Sequence, residues 1–218
     1  MNTAPDITAE LLKIESELKK RLMYPYKWGQ KQNDFFDNQT NFIYDILPFE
    51  ELIDTINLNF RGKQDYDQYF NYALNRWYNF WSAHAVEKIF CSFPDVVPAK
   101  DEKDHLVDFT IQGVTFDHKT SVFPANYSQP LNKAIINTGQ LILWLYENQS
   151  AEKRKHLKNR LFIVLYSTNG EHWKLKSEIS LLKKEIEFYM IGFNPHFLLK
   201  FDLGDSSQTL ADIIWVIK

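Results

Sequence analysis

The chain has 218 residues, 44% of them hydrophobic, and a formal net charge of −3: enough apolar content for a substantial core, and too little positive charge to coat nucleic acid by charge alone. Its single cysteine, Cys91, excludes a disulfide framework and a cysteine-rich zinc site. The N-terminal residues lack the apolar stretch of a signal peptide, and the run Leu141 to Tyr146 is too short to cross a bilayer, so a cytoplasmic protein is expected.

Residues 8 to 23 carry Leu11, Ile14, Leu18 and Leu22 on one stripe, the spacing of an amphipathic helix. Residues 24 to 47, rich in Asn, Gln, Asp and aromatics, read as irregular. Pro48 followed by two glutamates opens a short helix to about Asn57, and Arg61-Gly62-Lys63 interrupts it. From Asp65 to Cys91 a long helix is predicted, with Phe70, Ala73, Trp77, Trp81, His84 and Lys88 near one face. Glu87 lies on the edge of that face, one turn from His84 and two from Phe80. Residues 1–64 are expected to form a helical extension packed on a core domain of residues 65–218.

Asp95-Val-Val-Pro98 reads as a short edge strand and Lys100 to Asp104 as a charged loop. The next fifteen residues, VDFTIQGVTFDHKTS (107 to 121), are the most informative in the chain. A two-residue Gln112-Gly113 turn pairs Ile111 with Val114, Thr110 with Thr115 and Phe109 with Phe116, and the same register sets Asp108 opposite Asp117. Counting out from the turn makes the aspartates a non-hydrogen-bonded pair, the closer kind. Two carboxylates about 5 Å apart repel by roughly 0.8 kcal/mol in water and about 3 kcal/mol at an effective dielectric near 20. Lys119 shares their face and offsets part of this. A divalent cation would offset more, and an oxygen-lined site suits Mg²⁺, which binds through one or two carboxylates and keeps waters for a phosphate substrate.

Beyond the hairpin, Ser121 to Pro130 is a loop, Leu131 to Asn148 a helix, Leu161 to Tyr166 a buried strand, Leu175 to Met190 an amphipathic helix and Asp212 to Ile217 a final strand. Lys153, Arg154, Lys155, Lys158 and Arg160 gather without an intervening acid, as a solvated helix end or loop or as an edge that contacts phosphates. No Gly-x-Gly occurs, which removes P-loop and dinucleotide fingerprints, and Gly204-Asp205-Ser206 reads as a turn.

Asp108, a spacer, then Asp117-x-Lys119 on neighbouring strands resembles the PD-(D/E)xK nuclease superfamily, which includes many restriction endonucleases. Val107 stands where that family usually has proline. The resemblance covers roughly residues 75 to 167. It implies an α/β fold with the restriction endonuclease-like α-β-β-β-α-β core, a mixed central sheet flanked by helices, here with an N-terminal helical extension. It also implies that Asp108, Asp117 and the backbone carbonyl of His118 hold Mg²⁺, for which Mn²⁺ substitutes, and that Lys119 positions the attacking water. Glu87 matches, by its place in the order of elements, a glutamate that joins the metal site in many members. Gln140 with Trp144 four residues on is similar to a Gln-x-x-x-Tyr signature of one exonuclease branch, which makes Gln140 and Lys133 candidate nucleic-acid contacts beside Lys153, Arg154 and Lys155.

The function so implied is Mg²⁺-dependent hydrolysis of phosphodiester bonds in nucleic acid, foremost a DNA endonuclease of restriction-enzyme type. Cutting both strands would favour a homodimer. Two alternatives stand beside it: a catalytically inactive domain of the same fold that binds nucleic acid or protein, and an α/β interaction domain that holds no metal.

Overall fold

The computed structural model describes residues 7–99, 107–148, 158–203 and 208–218. Helix α1 (Thr8–Lys20) buries the predicted stripe Leu11, Ile14 and Leu18 and tightens into a 3-10 turn, Arg21–Met23. The segment expected to be irregular contains a short helix, α2 (Asp34–Gln39), and a 3-10 turn, Asn41–Tyr44. Neither is long enough to display a helical period. Both depend on distant partners: Arg76 donates to the Asp37 carbonyl and to Thr40 Oγ1, each at 2.6 Å, and Tyr72 donates to Asp37 Oδ1 at 2.7 Å.

Helix α3 (Phe49–Phe60) follows Pro48, which is held extended as residues at a helix entry are. It reaches three residues past the predicted Asn57 to end at the Arg61-Gly62 break. Helix α4 (Tyr66–Cys91) buries Tyr72, Trp77, Tyr78, Val86 and Phe90, more than one stripe of its surface, because neighbours cover it on several sides. Side chains of α1, α3 and α4 belong to one buried cluster, so the N-terminal helices share the core of the rest of the chain.

Among the described residues the sheet has six strands in the order β1-β2-β3-β4-β6-β5. Strands β1 (Val96–Pro98), β2 (Phe109–Ile111) and β3 (Val114–Val122) are antiparallel neighbours. Strand β4 (Arg160–Tyr166) lies parallel to β3 and to β6 (Thr209–Ile217), and β5 (Leu199–Phe201) closes the far edge antiparallel to β6. Leu161, Ile163 and Leu165 of β4 face α1, α4 and α7 (Ile179–Ile191), whereas Phe162 and Val164 face α6 (Thr138–Asn148). Burial on both faces is why this strand reads as an unbroken apolar run instead of alternating. The protein is thus a mixed sheet flanked by helices with an N-terminal helical extension.

Three further elements differ from the sequence expectation. The helix expected over 131 to 148 is two, α5 (Leu131–Ile136) and α6, parted at Asn137 where Asn, Thr and Gly, all poor helix formers, stand in succession. The helix expected from Leu175 begins instead as a 3-10 turn, His172–Ser177, before α7. Strand β5 was not foreseen: three residues are too few to show alternation, and only its pairing with β6 makes it a strand.

Candidate functional site

The hairpin forms as the spacing predicts. Phe109 pairs with Phe116, Thr110 with Thr115 and Ile111 with Val114. Gln112 and Gly113 take φ of 47° and 84°, the two positive values of a type I′ turn.

At Asp108 the expectation fails. The ladder stops at Phe109, and the Asp108 amide turns in to the Phe116 carbonyl at 2.9 Å, which a regular non-hydrogen-bonded position would not permit. Asp108 therefore does not face Asp117. Its Oδ2 instead accepts from the His118 backbone amide and contacts His118 Nδ1, each at 2.7 Å. Asp117 pairs across the β3–β4 ladder with Arg160, whose Nε donates to its Oδ2 at 2.7 Å while the guanidinium lies 5.5 Å over the Tyr146 ring. The repulsion expected between facing acids is relieved by giving each acid its own cationic or imidazole partner.

Both aspartates nevertheless border one cavity of about 490 Å³, with Glu87, His84, His118, Lys119 and Lys176. No described strand lies beside β3 beyond Phe116, since β2 ends there, so residues of both pleat faces reach the opening. Asp117 donates its amide to Asn159 and Phe123 donates to Leu165, which fixes the alternation along β3. The carbonyls of His118 and Thr120 consequently point to the open edge, away from β4. Helix α4 supplies Glu87 and His84, the latter stacked on Phe80 at 5.9 Å. Gln32, from the loop before α2, also lines the cavity, so the N-terminal extension reaches the site.

The electrostatics follow from this crowding. Burial disfavours charge on Asp108, but the hydrogen bonds and attraction of His118 outweigh it and hold the carboxyl below the usual range. Burial likewise opposes charge on His118, and Asp108, with Asp117 and Glu87 further off, more than offsets that and holds the imidazole above its ordinary value. Lys119 has an exposed side chain rooted in dense surroundings. That burial, and then the Arg160 charge, lower its ammonium, with Asp117 opposing.

Of the residues singled out in the sequence, the structure brings together Asp108, Asp117, His118, Lys119 and Glu87. Gln140 on α6 and Lys133 on α5 are exposed and do not line the cavity. Lys153, Arg154 and Lys155, the charged loop from Lys100 to Asp104, and Gly204-Asp205-Ser206 lie outside the described residues. Sequence reading missed Arg160 as the partner of Asp117, and it missed Lys176 and Gln32, whose segments bear no motif and join the site only through packing.

Among the described residues, no three His, Cys, Asp or Glu side chains are grouped so as to hold a metal ion. Oxygen donors of two aspartates border the cavity. Asp108 and Asp117 each engage Oδ2, while Oδ1 has no hydrogen bond among the described residues, and the His118 carbonyl faces the same opening. Two carboxylates and a carbonyl fit Mg²⁺ in kind and number, because that ion takes one or two carboxylates and retains its waters. They do not make a cage. Among the described residues no helix is long and apolar enough to cross a membrane. No protein-family model matches the chain, and no curated protein or solved structure is significantly similar to it.

Proposed function

We propose that the cavity beside β3 is the active site of a Mg²⁺-dependent phosphodiesterase acting on nucleic acid, foremost a DNA endonuclease of restriction-enzyme type. One observation carries the reading: Asp108, Asp117, Lys119 and Glu87, drawn from the residue before β2, from β3 and from α4, border one opening at a strand edge that no described strand covers. The order from α4 to β4, helix, three strands, two helices, strand, accords with the α-β-β-β-α-β core of the PD-(D/E)xK superfamily if α5 and α6 together stand for its second helix.

Asp108, Asp117 and the His118 carbonyl would hold Mg²⁺, with Glu87 completing its shell through water. When bound, the ion supplies Lewis acidity and a lowered pKa of coordinated water. The chain's own residues do the rest. Lys119 presents an ammonium on the same strand to hold the attacking water in line and to oppose negative charge building on the phosphoryl oxygens. The His118 ring, through Asp108 Oδ2, fixes the direction in which Asp108 Oδ1 points. Arg160 does the same for Asp117. DNA is the proposed substrate, and a homodimer the proposed form for cutting both strands.

The test is incubation of the purified protein with plasmid DNA and Mg²⁺ or Mn²⁺. The wild type is expected to nick or linearise it, and Asp117→Ala and Lys119→Ala to be slower by at least about a hundredfold, the scale of losing one preorganised charge. Absence of cleavage of both DNA and RNA by the wild type would overturn the reading.

A second reading has an observation in its favour. Each aspartate already has a side-chain partner, Asp108 in His118 and Asp117 in Arg160, as suits a catalytically inactive nucleic-acid or protein binding domain of the same fold. Mn²⁺ decides between them: it raises the melting temperature of the wild type but not of Asp108→Ala if the site takes metal, and changes neither if it does not.

A further inference from the structure

Lys176 belongs to the 3-10 turn before α7, a segment with no sequence signal of function, yet its side chain lines the same cavity as Asp108, Asp117 and Lys119. Its ammonium donates to a neutral partner, Asn79 Oδ1, at 2.6 Å, and among the described residues no carboxylate forms an ion pair with it. An ammonium has three donors. A lysine rooted among packed residues ordinarily either pairs with an acid or extends its head to bulk water. Lys176 is half-buried, and its head is held on Asn79 at the cavity wall with no acid ion-paired to it among the described residues. Ser82 Oγ donates to the Lys176 carbonyl at 2.8 Å, Tyr78 donates to the Trp173 carbonyl at 3.1 Å, and the flanking Leu175 and Ser177 are buried, so the turn is pinned to α4. Asn79, which also interacts with the Tyr26 hydroxyl, holds the ammonium from the helix side.

We propose that Lys176, positioned by Asn79, is an anion-binding residue that takes a non-bridging oxygen of a phosphodiester group in the cavity. This rests on the reading of the cavity as a phosphodiester site. Two lysines, Lys119 and Lys176, approach one opening from the strand side and the helix side, and the Lys119 charge acts on Lys176. The acids that might have separated them, Asp108 and Asp117, are committed to His118 and Arg160. An anion between the two ammonium groups relieves their repulsion and uses the donors Lys176 leaves over. Burial first, and then Lys119, push the Lys176 ammonium down to about 8, so at neutral pH it is still mostly charged, and a bound phosphate would hold it so.

The experiment uses the full chain in EDTA, where no cleavage occurs, and a fluorescent DNA duplex titrated over a range of salt. Lys176→Met, similar in length and uncharged, is expected to bind about tenfold more weakly and to flatten the plot of log affinity against log salt by about 0.9, the loss of one phosphate contact, while Lys176→Arg keeps the wild-type slope. Lys176→Gln serves if the methionine variant does not fold. In a second arm, inorganic pyrophosphate raises the melting temperature of the wild type and not of Lys176→Met. A wild-type salt slope and pyrophosphate response in both uncharged variants, with the wild type cleaving DNA, would overturn the subsite and leave the nuclease standing. A pyrophosphate response lost in Lys176→Met, with no cleavage under Mg²⁺ or Mn²⁺, would keep the subsite and remove the nuclease.

Discussion

Asp108 and His118 are joined twice at the open end of β2, the carboxylate oxygen Oδ2 meeting both the backbone amide and ring Nδ1 of His118 at 2.7 Å. The residue between the second aspartate and the lysine of the motif therefore anchors the first aspartate. With Phe109 stacked on the imidazole at 5.9 Å and on Phe90 at 4.5 Å, the anchor extends to α4.

This pair makes stability depend on pH. Asp108 is held below its ordinary 3.8, so its contribution is present above that pH and is lost as pH falls through the folded value. His118 is held above its ordinary 6.5, so its contribution is complete below that pH and is lost as pH rises through the folded value. In metal-free buffer the pair stabilises most between these two limits. Urea midpoints measured from pH 4 to 9 are expected to decline above 6.5 in the wild type and to lose that decline in His118→Phe. An identical decline in the variant would contradict the coupling.

Arg160 sets the behaviour of Lys119 as well as holding Asp117. Its charge helps lower the Lys119 ammonium, and Asp117 opposes that shift. Arg160→Gln removes the repulsion and leaves the Asp117 charge less compensated, and both changes favour the protonated lysine. Competitive labelling of Lys119 with an amine-selective anhydride is expected to require a higher pH in the variant than in the wild type. A midpoint that stays put or moves down would show that Arg160 does not act on Lys119.

The hairpin turn can be improved and broken at adjacent positions. Gln112 occupies a left-handed conformation, φ 47°, which asparagine tolerates better. Gln112→Asn is expected to stabilise by about 0.5 kcal/mol. Nothing lies within 4 Å of a Cβ added at Gly113, so Gly113→Ala is penalised only through its φ of 84°, by about 1–2 kcal/mol. Differential scanning calorimetry of both variants checks the opposite signs.

Arg21 is fully buried and joins α1 to α4. Its guanidinium donates to the Tyr24 carbonyl at 2.7 Å, the Pro25 carbonyl at 3.1 Å and Asn75 Oδ1 at 2.9 Å, beneath the Trp173 ring at 5.4 Å. Arg21→Ala leaves three acceptors unsatisfied beside a cavity and is expected to cost about 3 kcal/mol or more. Arg21→Lys is expected to recover less than half of this, because a single ammonium cannot span the fork. Denaturant unfolding of the two variants gives both numbers.

The register of the hairpin, the type of its turn, the long helix before it and, apart from the break between α5 and α6, the order of elements from α4 to β4 were legible in the chain alone. Each depends on a period or a turn residue within about twenty-five positions, where neighbours in sequence are neighbours in space. The same locality places Asp117 and Lys119 two positions apart on one strand, whereas Glu87, on the preceding helix, was joined to them only through the family resemblance. What the sequence left undecided was where side chains turn once strands end. The regular ladder predicts facing aspartates, but like charges have cheaper partners nearby, so Asp108 takes His118 and Asp117 takes Arg160, forty-three residues away. Lys176 and Gln32 carry no pattern and reach the cavity because α4 gathers the turn before α7 and the loop before α2 against the edge of β3 that no described strand covers. Local chemistry chose the elements; competition among charges and the packing of distant segments on α4 decided which groups meet in the cavity.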